Sequence, residues 1–293
     1  MIITKTPYRF SLFGGGTDYP EWYFGNPSRV LTSAMRYYCY ISVRALPPFF
    51  NHKTRVVYSK IEDVKGNKNI EHPAVNACLR FLKVSDGLEI HYDGDLPSKS
   101  GIGSSSAFTV GFLNALYGYM GKMITPERLA IEALEVERNL LNENVGIQDQ
   151  ISAAYGGFNV IDMGPGNRWK VRPLIVQEAY MSYLEESLIL GFSGKNRLAD
   201  EHAFEKVENI KKEKTTHELD EIRAISERAI SMIGYQEDLD ELGKLMKQSW
   251  EIKRRLSKSL SDEKTGEIME TGFKAGALGG KLMGAGEVVF FTF

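Results

Sequence analysis

The chain has 293 residues, 43% of them hydrophobic and 25% charged, enough for a sizeable core and for two domains. Lysine and arginine number 36 against 38 aspartates and glutamates, a net charge of -2, which excludes bulk electrostatic capture of nucleic acid or anionic membrane while leaving room for a local basic site. Cys39 and Cys78 have neither the spacing of a zinc set nor a disulfide framework, as in a reducing cytosol. No run approaches the length of a membrane span, and the start lacks the apolar stretch of a secretion signal, so a cytoplasmic location is expected.

Residues 1–100 read mainly as strands. The β-branched and aromatic run Val30 to Val43, the short segment Arg55 to Tyr58 and the alternating Leu88 to Tyr92 carry the pattern. From Ser104 to Gly121 the pattern changes: Ala107, Val110, Leu113 and Tyr117 recur at helical spacing. Serines open this buried helix, where their oxygens are expected to cap free amides. A second helix starts near Pro126 and carries Leu129, Ala133, Val136 and Leu140. Tyr155 to Ile161 reads as a turn into a strand, and Met163-Gly164-Pro165-Gly166-Asn167 as a boundary.

The second half opens on Leu188 to Phe192, predicted to be a buried strand. Helices with charged faces follow from about Asp200 to Glu270, and Lys211-Lys212-Glu213-Lys214 is read as a solvated face without functional weight. The end is a glycine-rich segment, Gly279 to Gly286, and a strand-like Val288 to Phe293.

Three segments suit phosphate. The central one, Asp95 to Ser106, is a glycine and serine loop leading from a strand into an apolar helix; glycines let the backbone approach a ligand, and a helix start offers amides and a favourable dipole to an anion. A serine-capped turn of no further use is the other reading. It is not a Walker loop. Neither is Gly280-Lys281, which has Ala275 where the first glycine belongs and Leu282 in place of Ser or Thr.

Pro97 to Ala107, with its Gly101-Ile102-Gly103-Ser104-Ser105-Ser106 core, resembles the central motif of the GHMP kinases. Pro7 to Tyr19, including Arg9 and Thr17-Asp18-Tyr19, is similar to the first motif in the galactokinase branch, and Gly279 to Gly286 to the third. The order and separations fit, so the resemblance covers nearly the whole chain. Leu46-Pro47-Pro48-Phe49-Phe50, Asp93 to Pro97, Ser104 to Gly111 and Gly146-Ile147-Gln148-Asp149-Gln150 are most like the branch acting on D-glycero-D-manno-heptose 7-phosphate. The resemblance implies an α+β, two-domain fold with the active site in the cleft between the domains. Residues 1–165 would hold the nucleotide and catalytic groups, and residues 166–293 would form a C-terminal domain lacking the last elements seen in relatives, with an exposed sheet edge.

It further implies a residue set. Pro97, Gly101, Gly103, Ser104, Ser105, Ser106, Gly284 and Gly286 would bind ATP; Ser105 and Glu137 would hold Mg2+, a cation suited to hard oxygens. Asp149 would be the base and Arg9 its cationic partner, which favours the ionised carboxylate. Without the motif, Arg9 reads as a surface strand residue, Asp149 as a helix cap and Glu137 as an exposed carboxylate. Gly15, Gly16 and Asp18 would meet the sugar, and Arg197, with Lys195, its 7-phosphate through a guanidinium fork. The expected product is a 1,7-bisphosphate for nucleotide-activated heptose and surface glycans. The expected partner is a small-molecule sugar phosphate, with neither nucleic acid nor membrane; a homodimer is left open. Glu287 departs from the glycines usual after the third motif and would oppose phosphates if it faced them. Two rivals stay open: a galactokinase-like hexose kinase, and an inactive sugar- or nucleotide-binding regulator.

Overall fold

The computed structural model describes residues 1–85, 87–97, 101–166, 168–192, 199–256, 263–284 and 288–292. It divides into two interleaved units: Met1–Arg9, Ala34–Ser98 and Gly103–Gly156 form the first, and Phe10–Ser33, Lys99–Ile102 and Gly157–Phe293 the second. Strands β1 (Ile2–Phe13) and β2 (Ser28–Ala45) each contribute residues to both.

In the first unit β2 runs antiparallel to β5 (Leu88–Gly94), with Cys39 opposite Gly94 and Ala45 opposite Leu88. β3 (Thr54–Val57) lies parallel to β5 and antiparallel to β4 (Ile61–Val64), extending the order to β4-β3-β5-β2. The three predicted strands are therefore present. The expectation of mainly strand misses α2 (Pro73–Phe81), although its apolar residues Ala74, Val75, Ala77, Cys78 and Phe81 do fall at helical spacing. Its signals are Pro73 in the first turn and the His72 ring accepting from the Val75 amide at 3.3 Å.

The predicted buried helix is α3 (Ser104–Tyr119), and almost every residue from Ser104 to Tyr117 is buried. It lies close to β1: a Cβ added at Gly111 would stand 2.6 Å from Thr6 Oγ1, and the Thr4 hydroxyl donates to the Gly111 carbonyl at 3.0 Å. α4 (Pro126–Glu135) begins at the predicted proline, capped by Thr125, which accepts from the Arg128 amide. A π-helical turn, Val136–Leu140, then replaces the regular helix that the spacing suggested. α5 (Gln148–Tyr155) closes this unit and packs with α3 and α4.

The second unit contains α1 (Pro20–Tyr23) and the antiparallel order β2-β6-β7, with β6 (Phe158–Gly164) and β7 (Arg168–Pro173) joined through Pro165 and Gly166. Beyond α6 (Glu178–Glu186) comes a three-stranded antiparallel sheet, β8 (Leu188–Phe192), β10 (Val288–Thr292) and β9 (Gly279–Met283), in that order. β8 is an edge strand. Ile189 is 53% exposed and Leu190 37%, which corrects the buried reading of this apolar run: periodicity cannot tell an edge from a centre. α7 (Ala199–Lys211), α8 (Thr216–Gly234), α9 (Leu239–Leu256) and α10 (Glu263–Lys274) supply the predicted helices, and Trp250, Met269, Ala277, Leu282 and Phe291 form a core where α9 and α10 meet β9 and β10. Lys211 to Lys214 is exposed as expected. Among the described residues no helix is long and apolar enough to cross a membrane.

Candidate active site

In the first unit, Arg9 near the middle of β1 reaches Asp149 in the first turn of α5. Nε donates to Oδ1 at 2.6 Å and Nη2 to Oδ2 at 2.9 Å, a two-pronged pair between residues 140 positions apart. Arg9 is buried, and a bidentate guanidinium fixes both the position and the plane of its carboxylate. The helix start favours the negative charge as well. Arg9 is thus not a surface strand residue.

Gly103 completes this cluster. It is the residue before α3, with φ +73°, and a Cβ there would lie 3.1 Å from Arg9 Cγ and 3.2 Å from Asp149 Oδ2. The glycine lets the mouth of α3 touch the acid–cation pair. The expected serine cap is absent: Gly103 occupies the cap position in a left-handed conformation, and Ser104 to Ser106 are already inside the helix, too far along for their side chains to cap it. The start of this 16-residue helix directs its dipole at the glycine turn, the arrangement that binds anions.

Two of the three serines are buried and Ser105 is exposed. Ser106 Oγ donates to Glu137 Oε2 at 3.0 Å, and the Gln150 amide donates to the same oxygen. Ser106 therefore bonds Glu137, and Ser105, expected with Glu137 to hold Mg2+, is exposed at the start of the same helix. Glu137 lies in the π-helical turn and is wholly buried, which excludes an exposed helix carboxylate. π-turns recur at functional positions because the extra residue re-aims neighbouring side chains.

Burial pushes the Glu137 carboxyl up to about 7; the Gln150 bond opposes this, the charge of Glu143 adds to it, and Thr109 and Ser106 oppose it further. Its Oε1 is buried with no hydrogen-bond partner. A buried carboxylate oxygen left open in this way is a hard donor suited to a divalent cation. Among the described residues no three His, Cys, Asp or Glu side chains gather into a metal cage, so an ion here would draw its remaining oxygens from hydroxyl, phosphate and water.

In the second unit the first-motif turn is held by its own atoms. Gly14, at φ +84°, sits where a Cβ would be 2.1 Å from the Arg29 carbonyl oxygen; Thr17 donates to the Gly14 carbonyl from both its amide and its hydroxyl; buried Asp18 accepts from the Gly16 amide at 2.8 Å through Oδ1. Gly15 lies within this turn. In the third motif Gly284, at φ +53°, abuts Gly101: a Cβ would lie 2.3 Å from the Gly101 carbonyl oxygen, so the two glycine segments meet backbone to backbone. Lys253 donates to the Leu282 and Gly284 carbonyls at 2.8 and 3.1 Å, and buried Lys281 to the Leu12 carbonyl at 2.7 Å. Sequence reasoning missed Gln150, which donates to the Glu137 carboxylate, and Lys253 and Lys281, which reach carbonyl oxygens farther along the chain. Pro97 is exposed before the glycine turn. Lys195, Arg197, Gly286 and Glu287 lie outside the described residues.

The chain matches the family model "GHMP kinases N terminal domain" over residues 69–157 and "GHMP kinases C terminal" over residues 213–293. It is 30% identical to the D-glycero-alpha-D-manno-heptose 7-phosphate kinase of Campylobacter jejuni, covering 100% of this chain and 88% of that protein. It is 24% identical to the galactokinase of Pyrococcus furiosus, covering 97% and 86%. A crystal structure described as a D-glycero-D-manno-heptose 1-phosphate kinase from Bacteroides thetaiotaomicron superposes with a TM-score of 0.80 at 21% identity, over 100% of this chain and 88% of that one. Two family models in order and a full-length relative at this identity establish that the chain belongs to the GHMP kinases, and hence to a family of ATP-dependent kinases with an α+β fold of N- and C-terminal domains.

Proposed function

We propose that this chain transfers the γ-phosphoryl group of ATP to the anomeric hydroxyl of D-glycero-D-manno-heptose 7-phosphate, giving the 1,7-bisphosphate. The observation that carries the chemistry is the Arg9–Asp149 pair held against Gly103 at the mouth of α3; the substrate rests on the full-length likeness to the Campylobacter jejuni kinase.

Phosphoryl transfer depends on positioning and charge stabilisation. Arg9 occupies one lone pair on each Asp149 oxygen, and a carboxylate retains further acceptor sites. One of these takes the proton of the sugar hydroxyl as its oxygen bonds to the γ-phosphorus and the bond to the β-bridging oxygen breaks. An anomeric hydroxyl is more acidic than an ordinary alcohol, so a modest base within hydrogen-bond reach suffices. Arg9 meanwhile keeps Asp149 in place and offsets charge on the transferred group. Gly101, Gly103 and Ser104 to Ser106 are the candidate phosphate-binding residues, and Pro97, Gly284 and Gly286 further candidate nucleotide contacts. Glu137, with Ser105, would hold Mg2+, which would neutralise phosphate charge. Gly15, Gly16 and Asp18 meet the sugar ring, and Arg197 its phosphate.

A coupled ADP-release assay over a panel of sugar phosphates and neutral sugars tests this directly. Turnover is expected with heptose 7-phosphate and to fall sharply with the unphosphorylated sugar, and Arg197→Ala should raise KM for the phosphate alone. ATP and magnesium binding without turnover on any sugar would overturn the assignment in favour of a regulator. Turnover that prefers a neutral hexose would replace it with a galactokinase-like activity.

A further inference from the structure

We propose that Gln150 is a positioning residue for the cation site: its buried amide locks the Glu137 carboxylate so that Oε1 is the oxygen left for Mg2+, and it ties that site to the base one residue before it in α5. The inference rests on the cation reading of Glu137 given above and adds a residue to which no role has been assigned.

Three elements of the first unit meet at Glu137. The carboxylate comes from the π-helical turn, Ser106 from α3 and Gln150 from α5, and both partners donate to the same oxygen, Oε2. A carboxylate oxygen has about two lone-pair sites, so these two donors fill Oε2. Oε1 is buried and receives none. Half a turn about the last side-chain bond would exchange the two oxygens, and donors fixed to two separate helices hold the carboxylate against that exchange. The share of Gln150 is the larger, because a hydroxyl rotates to follow its acceptor while the planar amide of a wholly buried side chain does not.

The Oε1 of Gln150 is also buried without a hydrogen-bond partner. A pair that served packing alone would gain by satisfying both oxygens, since an unpaired buried acceptor costs stability. Two open acceptors on one bonded pair suit a hydrated divalent cation instead, which offers a bond to the carboxylate and water protons to the amide. The same helix turn carries the base. Arg9 clamps Asp149, Glu137 holds Gln150, and one peptide unit keeps the two Cα atoms about 3.8 Å apart. Base and cation ligand are thus both referred to α5, which packs on α3 and α4.

The test is a calorimetric titration of wild type, Gln150→Met and Gln150→Asn with a non-hydrolysable ATP analogue, in Mg2+ and in EDTA. Methionine is of similar length and removes the amide; asparagine keeps the amide and draws it back by one methylene. Loss of a partner that orients a metal ligand predicts a fall of about 10- to 100-fold in affinity for the analogue in Mg2+. Affinity in EDTA should not change. In a Glu137→Gln background the amide has no carboxylate to orient, so Gln150→Met should cost nothing further in Mg2+. Equal losses in Mg2+ and EDTA, no loss in either, or a full loss that persists in the Glu137→Gln background would each overturn the role. Should the methionine variant fail to fold by circular dichroism, the asparagine variant decides on the same readings. If Glu137→Gln itself keeps the wild-type response to Mg2+, the cation reading fails and takes this inference with it. A Glu137→Gln that loses the response beside a Gln150→Met that keeps it sinks the inference alone.

Discussion

Replacing Glu137 by glutamine removes a buried charge while keeping the shape of the side chain and an oxygen to accept from Ser106 and Gln150. Burial raises the native carboxyl from an ordinary 4.5 to about 7. Within that window the folded protein keeps a proton that the unfolded chain has lost, so this group makes stability fall as pH rises, with the full cost present above about 7. At roughly 1.4 kcal/mol per tenfold change in proton affinity, the wild type should lose roughly 2–3 kcal/mol between about pH 5 and pH 8 through this residue, and the variant nothing. Urea unfolding without metal, followed by far-ultraviolet circular dichroism, measures this. Trp22, Trp169 and Trp250 all lie in the second unit, so tryptophan fluorescence would report on the wrong part of the molecule. Glu137→Gln should be the more stable protein at the higher pH, nearly equal at the lower, and catalytically impaired. Magnesium and nucleotide should narrow the gap at high pH by stabilising the wild type alone. A stability difference independent of pH, or a variant that is weaker at the higher pH, would refute the argument that this carboxylate is held at a cost for a cation.

The remaining predictions concern the mouth of α3. Gly103→Ala places a Cβ 3.1 Å from Arg9 and 3.2 Å from Asp149 at a residue with φ +73°; it should cost about 1–2 kcal/mol of backbone strain and, by displacing the pair a few tenths of an ångström, reduce kcat about 10- to 100-fold. Stopped-turnover assays and titration with a fluorescent nucleotide would separate this loss from weakened nucleotide binding, and an unchanged kcat would show that the contact is immaterial. Ser105→Ala should raise the magnesium requirement for turnover, whereas Ser106→Ala should chiefly cost about 1 kcal/mol of stability through its lost bond to Glu137. The reverse pattern in a magnesium titration and a urea melt would exchange the two roles.

Much of this was legible locally. Helical spacing located α3 to within two residues of its end, Pro126 marked the start of α4, a β-branched and aromatic run located β2, a short segment β3 and alternation β5, because each pattern records neighbours only a few positions away. The edge exposure of Ile189 and Leu190 was not legible, since an apolar run looks the same whether one strand or two will flank it. Nor was the interleaving of the two units along β1 and β2, because a reading made along the chain divides it only by cuts.

The sequence by itself determined the family, through three glycine-bearing segments in order, and the resemblance nominated Arg9 within the first of them and Glu137 and Asp149 in the stretch that follows the second. Only the tertiary structure decided that Arg9 and Asp149 meet in a bidentate pair across 140 positions and that Ser106 and Gln150 both bond the buried Glu137. The reason is physical. Which way a side chain points depends on a π-helical turn, a left-handed glycine or the packing of one element on another, and those are set by contacts between distant residues rather than by neighbours in the chain.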